Sequence, residues 1–162
     1  MNPYRHIFGA LNDAGIRYII VGGVAMNLVG YPRFTGDIDI LLALDTENIA
    51  KMSALMKEMG YEKRIPVSIE ELGDEKKVLQ LMKEKNLIAY SLANPSEPLY
   101  SIDVIVGDSL RFDAYEKHCS WEFAWDITVP VVSINDLIGM KKKSNREKDH
   151  DDVRNLLEWK GL

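Results

Sequence analysis

The stretch VGGVAMNLVGYPRFTGDIDILL, residues 21–42, decides how the chain is read. It closes an apolar, β-branched run, IRYIIVGG (16–23), on a glycine pair. It then passes through VAMNLVG, with the look of a two-turn helix closed by Gly30, and opens a second apolar run, DIDILLAL (37–44), on two aspartates. Continuous apolar runs of this length bounded by glycine read as buried strands, so the order is strand, tight turn, short helix, strand. Residues two apart on a strand share a face and lie about 6–7 Å from each other. Asp37 and Asp39 therefore present their carboxylates side by side, while Ile38 and Ile40 point the other way into the core.

Two ionised carboxylates so placed repel, and partial burial makes each harder to ionise unless a cation neutralises the pair. Oxygen ligands with no His or Cys beside them suit Mg²⁺ or Mn²⁺ better than zinc. Upstream, Gly22 and Gly23 lack a Cβ, so the backbone there can approach a ligand, and the helix start that follows offers unpaired N–H groups to phosphate. A third acid stands in YSIDVIVG (100–107), where alternation puts Ser101, Asp103 and Ile105 opposite Ile102, Val104 and Val106. If that strand neighbours the Asp37 strand, three carboxylates meet at one sheet edge, enough to hold two cations for in-line phosphoryl chemistry. Each feature taken alone has a plainer reading: a solvated strand start, an ordinary turn, a surface-facing acid on an edge strand. No G-x-x-x-x-G-K-[ST] phosphate loop occurs anywhere in the chain.

The rest of the sequence supplies a frame. With 162 residues, 46% of them hydrophobic, a single globular domain over 1–162 is expected. The formal net charge of −5 argues against a surface devoted to a nucleic-acid backbone. The longest apolar stretch is too short and too glycine-rich to cross a bilayer, and the N-terminus lacks a signal-peptide pattern, so a cytoplasmic protein with no membrane partner is expected. Cys119 is the sole cysteine and reads as idle. The basic run KKKSNREK (141–148) is either a solvated loop or a phosphate-binding cluster.

Helical spacing in PYRHIFGALNDAG predicts a first helix stopped by Gly15. Thr46 is read as N-cap of a helix buried through Ile49, Met52, Leu55, Met56 and Met59. YEKRIPV suggests a short edge strand, and Ser68 with Glu71 a capping box for a helix to about Asn86. LIAYSLA and LYSIDVIVG form a hairpin across NPSEP, and ITVPVV gives a further strand. Ser133 and Asp136 cap INDLIGMKKK, and KDHDDVRNLLEWK forms a last helix to Gly161. Residues 108–126 show no clear pattern. His6, His118 and His150 read as surface or packing residues; Trp121, Trp125 and Trp159 read as core or interface aromatics. The order predicts an α/β (α+β) fold: a mixed β-sheet flanked by helices, with a helical C-terminal tail.

On these residues the chain resembles the polymerase-β-like nucleotidyltransferase superfamily, in which a strand, a Gly-Gly or Gly-Ser turn and a short helix precede a strand carrying D-x-D. The fuller spacing of Gly22, Gly23, Ala25, Gly30, Arg33, Thr35, Asp37 and Asp39 is similar to the nucleotidyltransferase toxins of abortive-infection, or type IV, toxin–antitoxin systems. VPVVSINDLIGMKKKSNREKDHDDVRNL (129–156) resembles that branch's tail; residues 45–98 show no match. Gly23 stands where many relatives have serine, and Val29 where many toxin-branch sequences have histidine.

The resemblance implies transfer of a nucleoside monophosphate from an NTP to a hydroxyl of RNA, protein or a small molecule, with Mg²⁺ or Mn²⁺ as cofactor and a cognate antitoxin as a partner. It implies that Asp37 and Asp39 bind both metal ions and that Asp103 completes the site of the ion activating the hydroxyl. Gly22 and Gly23 would hold the triphosphate through backbone N–H groups, and Arg33 and Thr35 would orient the acidic strand or touch phosphate. Lys141 would counter the triphosphate charge, with Arg146 and Lys148 as further candidates and Asp149 and Asp152 as their pairing partners. Two other readings stay open: a metal-dependent phosphoesterase or nuclease using water as nucleophile, and a catalytically idle nucleotide- or partner-binding module.

Overall fold

β1 (Tyr18–Val21) is buried at all four positions, as its Ile-Ile-Val run requires, and it lies inside the sheet rather than at an edge. The computed structural model describes residues 2–32, 34–85, 87–107, 111–144 and 146–159. Its strands are β1, β2 (Asp37–Leu42), β3 (Glu62–Lys63), β4 (Ala89–Asn94), β5 (Glu97–Ile105), β6 (Ser120–Ala124) and β7 (Ile127–Val131). They form one seven-stranded sheet in the order β3-β4-β5-β2-β1-β7-β6. The β2–β5 and β1–β7 pairs are parallel and the others antiparallel, so the sheet is mixed, as expected.

The helices among the described residues are α1 (Pro3–Asp13), α2 (Gly22–Leu28), α3 (Thr46–Glu58), α4 (Glu75–Lys85), α5 (Phe112–Glu116), α6 (Ile134–Ser144) and α7 (Glu147–Trp159). α1 starts where the Asn2 side chain accepts from the N–H groups of Tyr4 and Arg5, and buries Ile7, Phe8 and Leu11 on one stripe. The Trp125 ring stacks on Tyr4 and Phe8 at centroid distances of 5.0 and 5.6 Å, and Phe8 on Tyr18 at 5.8 Å, tying α1 to the sheet. None of these helices is long and apolar enough to cross a membrane.

Several local expectations change. The N-cap of α3 is Asp45, whose carboxylate accepts from Asn48 N–H at 2.9 Å, and Thr46 is already helical. Asn48 is thereby turned inward, where its amide donates to the Arg17 and Ala43 carbonyls. Glu71 does reach back to the Ser68 N–H (2.8 Å), but the box closes a 3₁₀ turn, Ile69–Gly73, instead of a long helix. α4 starts afresh with Asp74 accepting from Lys76 and Lys77 N–H groups. The ends expected at Asn86 and Gly161 lie outside the described residues. The unpatterned segment yields α5 and β6. β6 joins β7 through Trp125 and Asp126, both in the left-handed region at φ 53° and 64°, a tight hairpin turn usually signalled by Asn-Gly.

Candidate active site

β2 lies between β1 and β5, and the parallel β2–β5 register sets Asp39 opposite Asp103 and Asp37 opposite Ser101. The three acids thus share one face of two adjacent strands, while Ile38, Ile40, Ile102 and Val104 fill the core on the other. Ser101 Oγ donates to Asp37 Oδ1 at 2.5 Å. Burial pushes the Asp39 carboxyl up to about 6; repulsion from Asp103 and Asp37 adds to this, and Lys141 and Arg146 partly offset it. Asp103 is raised too, first by burial and then by Asp37, against the Ser91 hydrogen bond and the Arg64 charge.

The glycine pair is placed differently from the sequence expectation. Gly22 and Gly23 are the first residues of α2 and not a turn ahead of it. Gly22 has φ 66°, and a Cβ there would run into the Asp39 carboxylate. A Cβ on Gly23 would come within 2.7 Å of Thr35 Oγ1. Thr35 in turn donates to the Asp37 carbonyl at 3.0 Å, holding the entry to β2. Arg33 lies outside the described residues.

The tail helices bring the basic cluster towards this face. Lys141 is buried, with Nζ 2.8 Å from Asp152 Oδ2 and 3.5 Å from Asp149 Oδ1, and Arg146 Nε donates to Asp149 Oδ2 at 2.7 Å. Asp149 and Asp152 therefore bridge α6 to α7, and Asp149 also pairs with Arg146 three residues before it. Lys148 is exposed. Ser101, Ser91 and Arg64 also act on the acids but were not singled out in the sequence. Ser101 could have been found by alternation from Asp103; Ser91 and Arg64 carry no local signal.

Among the described residues, no group of three His, Cys, Asp or Glu side chains is drawn together into a ready metal cage. The donor set nevertheless fits a hard divalent cation: oxygen ligands only, on one face, mutually repelling, beside a helix start where a side chain would fill the space next to Asp39.

A mixed sheet bearing paired acids on β2 and a partner acid on β5, with glycines closing on them from α2, is the arrangement that the sequence resemblance to nucleotidyltransferases implies. More narrowly, the family described as nucleotidyl transferase AbiEii toxin of type IV toxin–antitoxin systems matches residues 8–155, and the chain belongs to that family. The match runs through the middle segment that the sequence motifs left unplaced. Among solved structures, the lincosamide antibiotic adenylyltransferase LnuA, lincomycin-bound, is similar at TM-score 0.62 and 16% identity over 94% of this chain and 93% of that one. The antibiotic-resistance factor ANT(2″)-Ia gives TM-score 0.62 at 12% identity, over 95% of this chain and 80% of its own. A nucleotidyltransferase-like protein from Paracoccidioides brasiliensis gives 0.53 at 19% identity, over 95% and 72%. At such identities the likeness is one of fold. No curated protein matches the chain.

Proposed function

We propose that residues 1–162 act as one catalytic domain, a divalent-metal-dependent nucleotidyltransferase that moves an NMP from an NTP onto an acceptor hydroxyl. The observation that carries this reading is the register that sets Asp39 opposite Asp103 with Asp37 two residues along. Mg²⁺ or Mn²⁺ held by Asp37, Asp39 and Asp103 would neutralise the triphosphate and make the acceptor hydroxyl more acidic. The acceptor oxygen bonds to the α-phosphorus as the bond to the bridging oxygen breaks, and pyrophosphate leaves with the electron pair. The Asp103 carboxylate, beside the cation that would acidify the hydroxyl, accepts the hydroxyl proton and releases it to solvent.

Gly22 and Gly23 line the nucleotide's phosphates with backbone, Thr35 fixes the strand entry, and Arg33 is a further candidate for contact with phosphate. Arg146, with a side chain 62% exposed, supplies positive charge to the triphosphate with Lys148. Lys141 contributes less to it, since its charge is shared with Asp149 and Asp152. Family membership supports a toxin role with a cognate antitoxin, and a cytoplasmic setting follows from such a role. RNA, a protein hydroxyl and a small molecule are the acceptor classes in play.

The test incubates the purified protein with each α-labelled NTP, Mg²⁺ or Mn²⁺, and cell extract, beside Asp37→Asn. Label on an acceptor with wild type alone supports the reading and identifies the acceptor class. Free monophosphate without adduct indicates a phosphoesterase. No label despite metal-dependent nucleotide binding indicates an idle binding module.

A further inference from the structure

The row of residues that holds Asp39 and Asp103 continues past them. β1 places Val21 opposite Asp39, β5 places Asp103 beside it, and β4 places Ser91 opposite Asp103. The antiparallel β3–β4 register pairs Glu62 with Ala93 and Lys63 with Leu92, and the Arg64 N–H donates to the Ser91 carbonyl at 2.9 Å. Arg64 is thus the next residue of the same row. Residues in register on neighbouring strands project to one face, so Arg64 shares the face of the acids. Lys63 falls in register with Leu92, Ile102 and Ile38 on the opposite face.

Arg64 is also exposed, with no carboxylate within 4 Å among the described residues, whereas Arg17, Arg111, Arg146 and Arg154 each have one. A cation at the rim of an acid cluster, not committed to an ion pair, is placed to receive an anion from solution. The guanidinium fork suits an oxyanion.

Which substrate it serves follows from its end of the row. β3 is four strands from β1 in the sheet, a backbone separation on the order of 19 Å, so Arg64 is remote from the phosphates proposed to lie at Gly22. It stands beyond Asp103, on the side where the proposed reading brings in the acceptor. We propose that Arg64 is a specificity residue that recognises an oxyanion on the acceptor, a phosphate or carboxylate close to the attacking hydroxyl. The acceptor is then a negatively charged molecule, and a polycation is a poor one. This inference rests on the transferase reading for its choice of the acceptor over the nucleotide.

The experiment compares wild type, Arg64→Ala and Arg64→Lys, titrated with glycerol, glycerol 1-phosphate, glycerate and a 5′-phosphorylated dinucleotide, each with and without Mg²⁺ and a non-hydrolysable NTP analogue. Wild type is expected to bind at least one anionic probe more tightly than glycerol. Arg64→Ala should lose about tenfold for that probe, Arg64→Lys should recover part of the loss, and analogue affinity should stay within about twofold. The preferred probe separates a nucleic-acid phosphate from a small phosphate or a carboxylate. Equal binding of every anionic probe by wild type and Arg64→Ala overturns the proposal, as does failure of all of them to bind wild type. A parallel loss of analogue affinity assigns Arg64 to the nucleotide and overturns it too. If the analogue binds to no variant while the anionic probe still depends on Arg64, the transferase reading falls and the anion site stands.

Discussion

Gly22 and Asp39 touch: nothing larger than a hydrogen fits between the first residue of α2 and the carboxylate of β2. Gly22→Ala therefore has two costs, a left-handed backbone at φ 66° for a residue with a Cβ, about 1–2 kcal/mol, and displacement of Asp39. Thermal unfolding should shift down, and transfer should fall by more than the folded fraction accounts for. An Ala variant with wild-type transfer would detach Asp39 from the chemistry.

Gly23→Ala meets Thr35 instead, whose Cβ would stand 2.8 Å from the new methyl. Adding Thr35→Gly removes the obstacle. The double variant is expected to regain stability lost by Gly23→Ala, measured as a positive coupling in urea titrations.

Asp39 gives a pH dependence in metal-free protein. Its carboxyl rises from 3.8 to about 6 in the fold, so the native state binds this proton more tightly than the unfolded chain does. The resulting stability is fully present below about pH 4 and is lost as pH rises through about 6. Asp39→Asn escapes that loss. In EDTA it should be more stable than wild type at pH 8, by at most about 3 kcal/mol, with the gap closing towards pH 4. Mg²⁺ should raise the melting temperature of wild type and leave Asp39→Asn nearly unmoved.

Lys141→Met takes the ammonium away from Asp152 and Asp149, both buried. A loss of about 3 kcal/mol is expected in urea unfolding. Lys141→Met with Asp152→Leu should recover much of it, since the charge that lost its closest partner is removed too and the remaining Asp149 keeps its ion pair with Arg146. Recovery of stability without recovery of transfer would separate the strut from the site.

Two tryptophans close in sequence should behave oppositely. Trp125→Ala removes the ring stacked on Tyr4 and Phe8 and should cost about 3 kcal/mol. Trp121, 64% exposed on β6, should tolerate alanine to within about 0.5 kcal/mol.

What the sequence made legible was whatever a local period encodes. Asp37 and Asp39 could be placed on one face because Ile38 and Ile40 alternate with them, and Asp103 could be marked because it interrupts an apolar strand. That Asp103 falls opposite Asp39, and not a residue to either side, is set by a parallel pairing between distant strands, which no local pattern carries. β6 was missed because every residue from Ser120 to Phe123 is exposed, so it shows no buried face, and because its turn is Trp-Asp where glycine would have flagged it. Five-residue α5 is too short to establish a period. Thr46 and Asp45 compete one position apart for the same capping role, and only the carboxylate's reach to Asn48 separates them.

The position of β7 beside β1 has a consequence for biosynthesis. Asn12 at the end of α1 donates to the Thr128 carbonyl, 116 residues away, and β1 takes β7 as its neighbour on the side away from β2. At about 5–20 residues per second, the ribosome delivers that neighbour many seconds after β1 has emerged. Until then the nascent chain can carry its acids but not the tail helices that bring Lys141 and Arg146 towards them, so the cluster is completed only after α6 and α7 have followed β7 out.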